Sequence, residues 1–254
     1  MKVFLMVNNW VGSRVLRWML ERETCCLVGV ALHPPELRQC DTALRTALAD
    51  FPAERIFDAS ALKTRAARER IAALKPEAGV SAYFGYILGE RFRALFPRGI
   101  FNLHPAMLPY NRGAHPNVWS IVEGTPAGVT VHLVDGGVDT GPIVAQRETP
   151  VYPTDTGAAL YHRLERDSLE LFRDTWPTVE AGTYVTREQP PDEGTEHKAA
   201  DLATIDELNP DAHMRVGDVI NILRARTFPP YPSSYITVDG KRVFVRVELD
   251  EDVE

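Results

Sequence analysis

Short apolar runs alternate with amphipathic stretches through the first hundred residues, and no other property of the chain constrains its fold as tightly. Residues 2–7 read as a buried strand, Gly12 opens a turn, and Val15, Leu16, Met19 and Leu20 recur at helical spacing. A second apolar run covers residues 26–32, a short helix residues 41–49, and a third strand residues 55–57. Ser60 is positioned to cap a helix carrying Leu62, Ala66, Ile71 and Leu74, which Pro76 stops. Residues 80–84, a helix over 90–95 and residues 99–103 continue the series. Strands separated by helices cannot pair as hairpins, so the expected fold is α/β, a mostly parallel sheet flanked by helices.

Beyond Arg112 the pattern predicts a helix over 116–123, strands over 129–134 and 142–148, and a long helix from Thr156 to about Thr175. Asp155 or Thr156 supplies its cap, Leu160, Leu164 and Leu171 its buried stripe, and Trp176-Pro177 its end. The polar, proline-containing residues 187–196 read as a linker and divide the chain into residues 1–186 and 187–254. In the second part Asp218 caps a helix carrying Val219, Ile222 and Leu223, and Phe228-Pro229-Pro230-Tyr231-Pro232 terminates it. Two β-rich runs, 235–238 and 242–245, then flank Asp239-Gly240, a pair suited to the left-handed angles of a type I′ hairpin turn.

Composition narrows the function classes. With 44% hydrophobic residues in 254, the chain has ample material for a core. Its net charge of −7 is concentrated from Glu188 to the end, where 15 Asp or Glu face 7 Lys or Arg, a surface ill suited to nucleic acid. Cys25, Cys26 and Cys40 give neither a disulfide framework nor a metal or redox spacing. The apolar start is too short for a signal segment, and no run is long enough to span a membrane. These features together predict a cytoplasmic enzyme or binding protein with no membrane partner.

Chemistry-bearing residues concentrate in Phe101-Asn102-Leu103-His104-Pro105 and in Asp135-Gly136-Gly137-Val138-Asp139-Thr140-Gly141-Pro142. An amide, an imidazole and a carboxylate at two loop openings suit acyl transfer. Asn102 can donate to an oxyanion, His104 can move a proton, and Asp139 can fix the tautomer of the imidazole. His132 alternates with Val131 and Leu133 on a strand, which implies a polar face or a local bond. The remaining histidines show no metal spacing, so no metal site is expected.

Together with Leu108-Pro109 and Arg112-Gly113, these motifs make the chain resemble the folate-dependent formyltransferase family over most of residues 1–185. The resemblance implies a Rossmann-like catalytic domain at 1–186 and N10-formyltetrahydrofolate as co-substrate. It also implies Asn102, His104 and Asp139 as the catalytic trio. It assigns Phe84, Gly85, Tyr86, Ile87 and Leu88, with Val134, Asp135, Gly136 and Gly137, to the folate pocket, where glycines let the main chain approach a flat heterocycle. Asn9, Arg112, Asn117 and Trp119 are the candidate acceptor-binding residues; Asn117 and Trp119 read equally as a helix cap and a core aromatic. The family's serine after His-Pro is Ala106 here.

Residues 224–232 and the hairpin resemble the short C-terminal element of sugar-nucleotide N-formyltransferases. That likeness implies a homodimer and a nucleoside diphosphate-linked 4-amino-4,6-dideoxyhexose as acceptor, dTDP or GDP, for surface-polysaccharide synthesis. Formylation of methionyl-tRNA is opposed by the acidic tail, and glycinamide-ribonucleotide enzymes generally lack the hairpin. A nicotinamide enzyme would need a Gly-x-Gly-x-x-Gly that residues 7–12 do not hold. A folate or sugar-nucleotide binding module without turnover is the non-enzymatic alternative, and the intact trio argues against it.

Overall fold

The computed structural model describes residues 1–252. The chain forms two compact units: one comprises Met1–His104, Thr130–Gln146 and Ser168–Gln189, the other the remaining described residues. In chain order the strands are β1 (Lys2–Val7), β2 (Cys26–Leu32), β3 (Ile56–Asp58), β4 (Ala78–Ala82), β5 (Ile100–His104), the two-residue β6 (Arg112–Gly113), β7 (Gly128–Leu133) and β8 (Ile143–Glu148). All but β6 join a seven-stranded sheet of order β3-β2-β1-β4-β5-β7-β8. The pairs from β3 to β5 are parallel, and β7 runs antiparallel to β5.

The apolar runs form these strands because a parallel sheet is covered on both faces and leaves little room for alternation. Every residue of β4, and all of β1 after Lys2, is buried. Helices α1 (Asn9–Leu20), α2 (Asp41–Ala47), α3 (Arg65–Ala73) and α4 (Glu90–Arg93) supply the connections. Phe4 packs against Phe57, Phe92 and Phe96 at centroid distances of 5.4–6.3 Å in tilted or edge-to-face contacts, which suit the ring quadrupoles. Strand order reverses between β1 and β4. The crevice beyond the carboxyl ends of such strands is where open α/β sheets bind ligands.

Three local expectations differ from the structure. Helix α3 starts at Arg65, not after Ser60, because the Thr64 hydroxyl accepts from the Ala67 amide while Asp58 caps a separate turn over Ala59–Ala61. Asp218 lies in the first turn of α8 (Val216–Ala225), and Arg215 occupies the cap position. The long helix does not end at Trp176-Pro177. It runs through Pro177 to Ala181, since Trp176 and Val179 are fully buried and Thr178 Oγ1 donates to the Thr175 carbonyl, occupying an acceptor near the break.

In the second unit α5 (Pro116–Glu123) precedes the first part of that long helix, α6 (Gly157–Ala181), which Thr156 caps by accepting from the Ala159 amide. Strand β9 (Glu196–His197) pairs with β6, so the segment read as a linker ends in a strand. Helices α7 (Ala203–Asp206) and α8 follow. The hairpin β10 (Tyr235–Val238) and β11 (Lys241–Phe244) turns through Asp239 and Gly240 with φ of 49° and 74°, as the Asp-Gly pair predicts.

Asp155 anchors this unit. Its buried carboxylate accepts two bonds from the Arg163 guanidinium, at 2.7 and 2.8 Å, and one from the Tyr152 amide, while Arg224 donates to the Tyr152 and Asp155 carbonyls. Burial alone would raise this carboxyl, but the Arg163 bonds, the Tyr152 amide and the positive charges of Arg163 and Arg224 outweigh it and hold it below the ordinary carboxylate range. A depressed folded-state value contributes stability that is present above the unfolded value and is lost as pH falls through the folded one. Asp155→Ala, which strands the half-buried Arg163 guanidinium and removes a buried acceptor, is therefore expected to cost about 3 kcal/mol in urea unfolding at pH 7. The gap between variant and wild type should close as pH drops below about 4; a gap independent of pH would contradict the charged pairing.

Candidate active site

Asn102 and His104 stand two residues apart on β5 and so project from the same face, at its carboxyl end. In the register with β7, Asn102 faces His132 and His104 faces Thr130. Asp139 follows β7 in a loop, with a left-handed φ of 53°. The structure thus brings the three expected residues together and adds a fourth, His132.

The distances define one cluster. Asn102 Nδ2 lies 3.1 Å from His132 Nε2 and 3.2 Å from Asp139 Oδ1. His132 Nε2 is 3.4 Å from Asp139 Oδ1, and His104 Nδ1 is 3.5 Å from Asp139 Oδ2. His132 Nδ1 lies 3.0 Å from the Leu133 carbonyl oxygen. The carboxylate thus has one imidazole near each oxygen, and both rings are buried, His132 to 1% exposure. Sequence periodicity places His132 on a polar strand face but carries no signal for the residue across the ladder.

Three features hold Asp139 in its unusual backbone conformation. Asp135 Oδ1 accepts from the Gly137 amide and from Thr140 Oγ1 at 3.0 and 2.7 Å. Gln189 Nε2 donates to the carbonyls of Asp139 and Gly141, both at 2.8 Å. A Cβ at Gly141 would collide with the Leu133 carbonyl oxygen, so the Thr-Gly pair is needed for the close approach. Gln189 lies in the segment expected to be a linker, where nothing local marks it as a clamp.

The proposed folate segments lie in the same unit. Phe84 and Leu88 are buried, Tyr86 is half-buried, Gly85 has open space beside it, and Ile87 is 89% exposed. Phe84 and Tyr86 meet the His33 ring edge-to-face at 5.1 and 5.0 Å. Burial pushes the His33 imidazole below its ordinary range, and its Nδ1 faces the Asn8 amide at 3.1 Å. Val134 is bonded through its amide to the Ile100 carbonyl, and Asp135, Gly136 and Gly137 form the turn before Asp139.

The four acceptor candidates are placed as follows. Asn9 is buried in the first unit with φ 57°, its Oδ1 accepting from the Gly12 amide. In the second unit Arg112 lies on β6 and donates to the Glu193 carbonyl. Asn117 donates to the Gly157 carbonyl, and Trp119 stacks on His197 with centroids 4.1 Å apart and planes 8° from parallel. The last two are thus engaged in packing their own unit. Among the described residues no group of three or more His, Cys, Asp or Glu is placed to hold a metal ion, and no helix is long and apolar enough to cross a membrane.

Comparison with known proteins gives this geometry its context. The sequence pattern of the family described as Formyl transferase matches residues 30–175, and that of the N-formyltransferase dimerization C-terminal domain matches residues 201–251. A protein of Mycobacterium tuberculosis named dTDP-4-amino-4,6-dideoxyglucose formyltransferase is 34% identical over 166 residues, 64% of this chain and 70% of that one. A 4-N formyltransferase from Francisella tularensis superposes with a TM-score of 0.81 at 23% identity, covering 99% of this chain and 98% of that one, a likeness of fold. A formyltransferase from Anoxybacillus kamchatkensis, solved with UDP-4,6-dideoxy-4-formamido-L-AltNAc and tetrahydrofolate, superposes with a TM-score of 0.58 at 28% identity over 80% of this chain and 89% of that one. The chain belongs to the formyl transferase family and carries the C-terminal domain of its N-formyltransferases.

Proposed function

We propose that the protein transfers the formyl group of N10-formyltetrahydrofolate to the amine of a nucleotide-linked amino-dideoxyhexose, a dTDP-4-amino-4,6-dideoxyhexose in the first instance. The convergence of Asn102, His104 and Asp139 at the end of β5 carries this reading of the chemistry. The named activity of the mycobacterial relative supports the acceptor class, and the folate-bound neighbour supports the donor. The acidic second part speaks against tRNA, and the three free thiols fit a reducing cytoplasm.

In this reading the acceptor nitrogen attacks the formyl carbon and the carbonyl oxygen becomes an oxyanion. An Asn102 N–H and the imidazolium of His104 stabilise that charge. Asp139, through water, takes the proton lost by the attacking nitrogen, and His104 delivers one to N10 as the carbon–N10 bond breaks. The products are tetrahydrofolate and the sugar formamide, with no covalent enzyme intermediate. Phe84 to Leu88 and Val134 to Gly137 frame the folate, while Asn9, Arg112, Asn117 and Trp119 remain the acceptor candidates. Surface-polysaccharide synthesis is the process such a product would enter.

We also infer that residues 187–254 assemble the protein into a homodimer. An isolated two-stranded hairpin is marginal in water, and Val238, Val243 and Phe244 of this one are each about half exposed. Val238 and Val243 lie on one face of the hairpin and Phe244 on the other, and a symmetric pair would bury the same apolar residues on each copy.

His104→Asn and Asp139→Asn are expected to keep the wild-type melting temperature and folate affinity while turnover falls about 100-fold to 10,000-fold. Turnover is to be followed by mass as a gain of one formyl group on dTDP-, GDP- and UDP-linked amino sugars. Formylation of glycinamide ribonucleotide or methionyl-tRNA in place of every sugar would overturn the acceptor assignment. For the dimer, Val243→Asp combined with Phe244→Asp should shift the mass in light scattering from two chains to one, and a wild type that is already monomeric at micromolar concentration would refute it.

A further inference from the structure

The hydrogens of the Asn102 amide are already committed. Asp139, when ionised, only accepts, so the Asn102 atom 3.2 Å from its Oδ1 is the nitrogen, and one N–H points there. The same nitrogen lies 3.1 Å from His132 Nε2. The other ring nitrogen of His132 faces the Leu133 carbonyl at 3.0 Å, and a carbonyl also only accepts, so Nδ1 carries a proton. In the neutral ring Nε2 is then a bare lone pair and takes the second Asn102 N–H. An amide has two hydrogens, and this arrangement leaves neither for an oxyanion.

Adding a proton to His132 reverses the pattern. Nε2–H would then face the Asn102 nitrogen donor to donor, an arrangement neither group favours, while Asp139 Oδ1 lies 3.4 Å away as an acceptor. The cationic ring turns its new hydrogen to that carboxylate oxygen and releases the Asn102 amide to rotate about its terminal torsion. The titratable groups facing this ring are Asp139 and His104, whose ring meets it edge-to-face at 6.4 Å from β5. The ring is buried to 1% exposure, so its hydrogen bonds are made with these protein groups.

We propose that His132 is a positioning residue whose charge state sets the direction of the Asn102 amide: neutral His132 locks it onto the ring and Asp139, and protonated His132 frees an N–H for the transferring formyl oxygen. The proposal rests on the formyl-transfer reading for its consequence, though not for its structural content. The step moves one proton onto Nε2 and exchanges one hydrogen-bond donor at Asp139 Oδ1, from the amide to the ring. The donor pose accordingly belongs to the protonated ring.

The test combines a binding-free measurement with kinetics on the full chain. In 15N-labelled protein without substrate, the His132 ring nitrogens and the Asn102 side-chain amide are followed by NMR from about pH 5 to 9, where histidines ordinarily titrate. The expected result is the Nδ1–H tautomer at high pH and an Asn102 amide signal that moves with the His132 midpoint. An Nε2–H tautomer, a ring that stays neutral throughout, or an Asn102 signal indifferent to the titration would overturn the proposal. His132→Gln keeps an acceptor but cannot be charged. It should lower kcat about 100-fold, the scale of a misplaced catalytic group, with the folate KM within about threefold. It should also erase the limb of the kcat profile that falls as pH rises. Wild-type kcat with that limb intact would overturn the proposal, and should the variant not fold, the wild-type NMR titration still decides. If no acceptor is formylated while the NMR linkage holds, the reaction assignment has failed and the relay between His132 and Asn102 stands.

Discussion

The Asp139 carboxylate is the constraint on which the rest of the cluster depends. One oxygen lies beside both the Asn102 amide and the His132 ring and the other faces His104, so a single side chain stands at the centre of three others. That placement requires a left-handed backbone at a residue other than glycine, a conformation that seldom occurs without support. The support comes from all around the loop, from Asp135 before it, Gly141 after it and Gln189 across it. The loop is better described as a small hydrogen-bonded frame than as a connection between strands.

Much of this was legible in the sequence because the signals are local. Buried parallel strands are unbroken apolar runs, so β1, β2, β4 and β5 could be read directly. The Asp-Gly turn declared its hairpin through backbone angles alone. Asn102 and His104 could be paired because alternation puts residues two apart on one face of a strand. The place of His132 beside Asn102, and the role of Gln189, are not legible for the opposite reason. Their partners lie 30 to 50 residues away and are set by strand register and by the path of the returning chain, which composition does not encode. Pro177 does not end its helix because the helix-breaking tendency of proline is outweighed by burial of Trp176 against Phe101 and Phe172.

The second unit solves a different problem with similar means. It has short strands and little sheet, so polar junctions carry much of its definition. Asn111 donates to Ser120 and Thr125 and receives from Thr195, and the Asp155 carboxylate fixes the residues that lead into α6. Such buried networks specify a single arrangement when every member is satisfied. They also explain why a segment rich in proline and charge, unremarkable in sequence, folds back to form β9 beside β6.

The grip of Gln189 on the Asp139 loop bears on how the protein can be taken apart. A cut placed after residue 186, where composition changes, would leave the seven strands of the sheet complete and the three catalytic candidates present. It would nevertheless remove the side chain that holds two carbonyls of the loop in place, together with Arg187, which bridges to Ile143. The strands of the sheet and the frame around Asp139 therefore end at different points of the chain, a few residues of extended polypeptide apart.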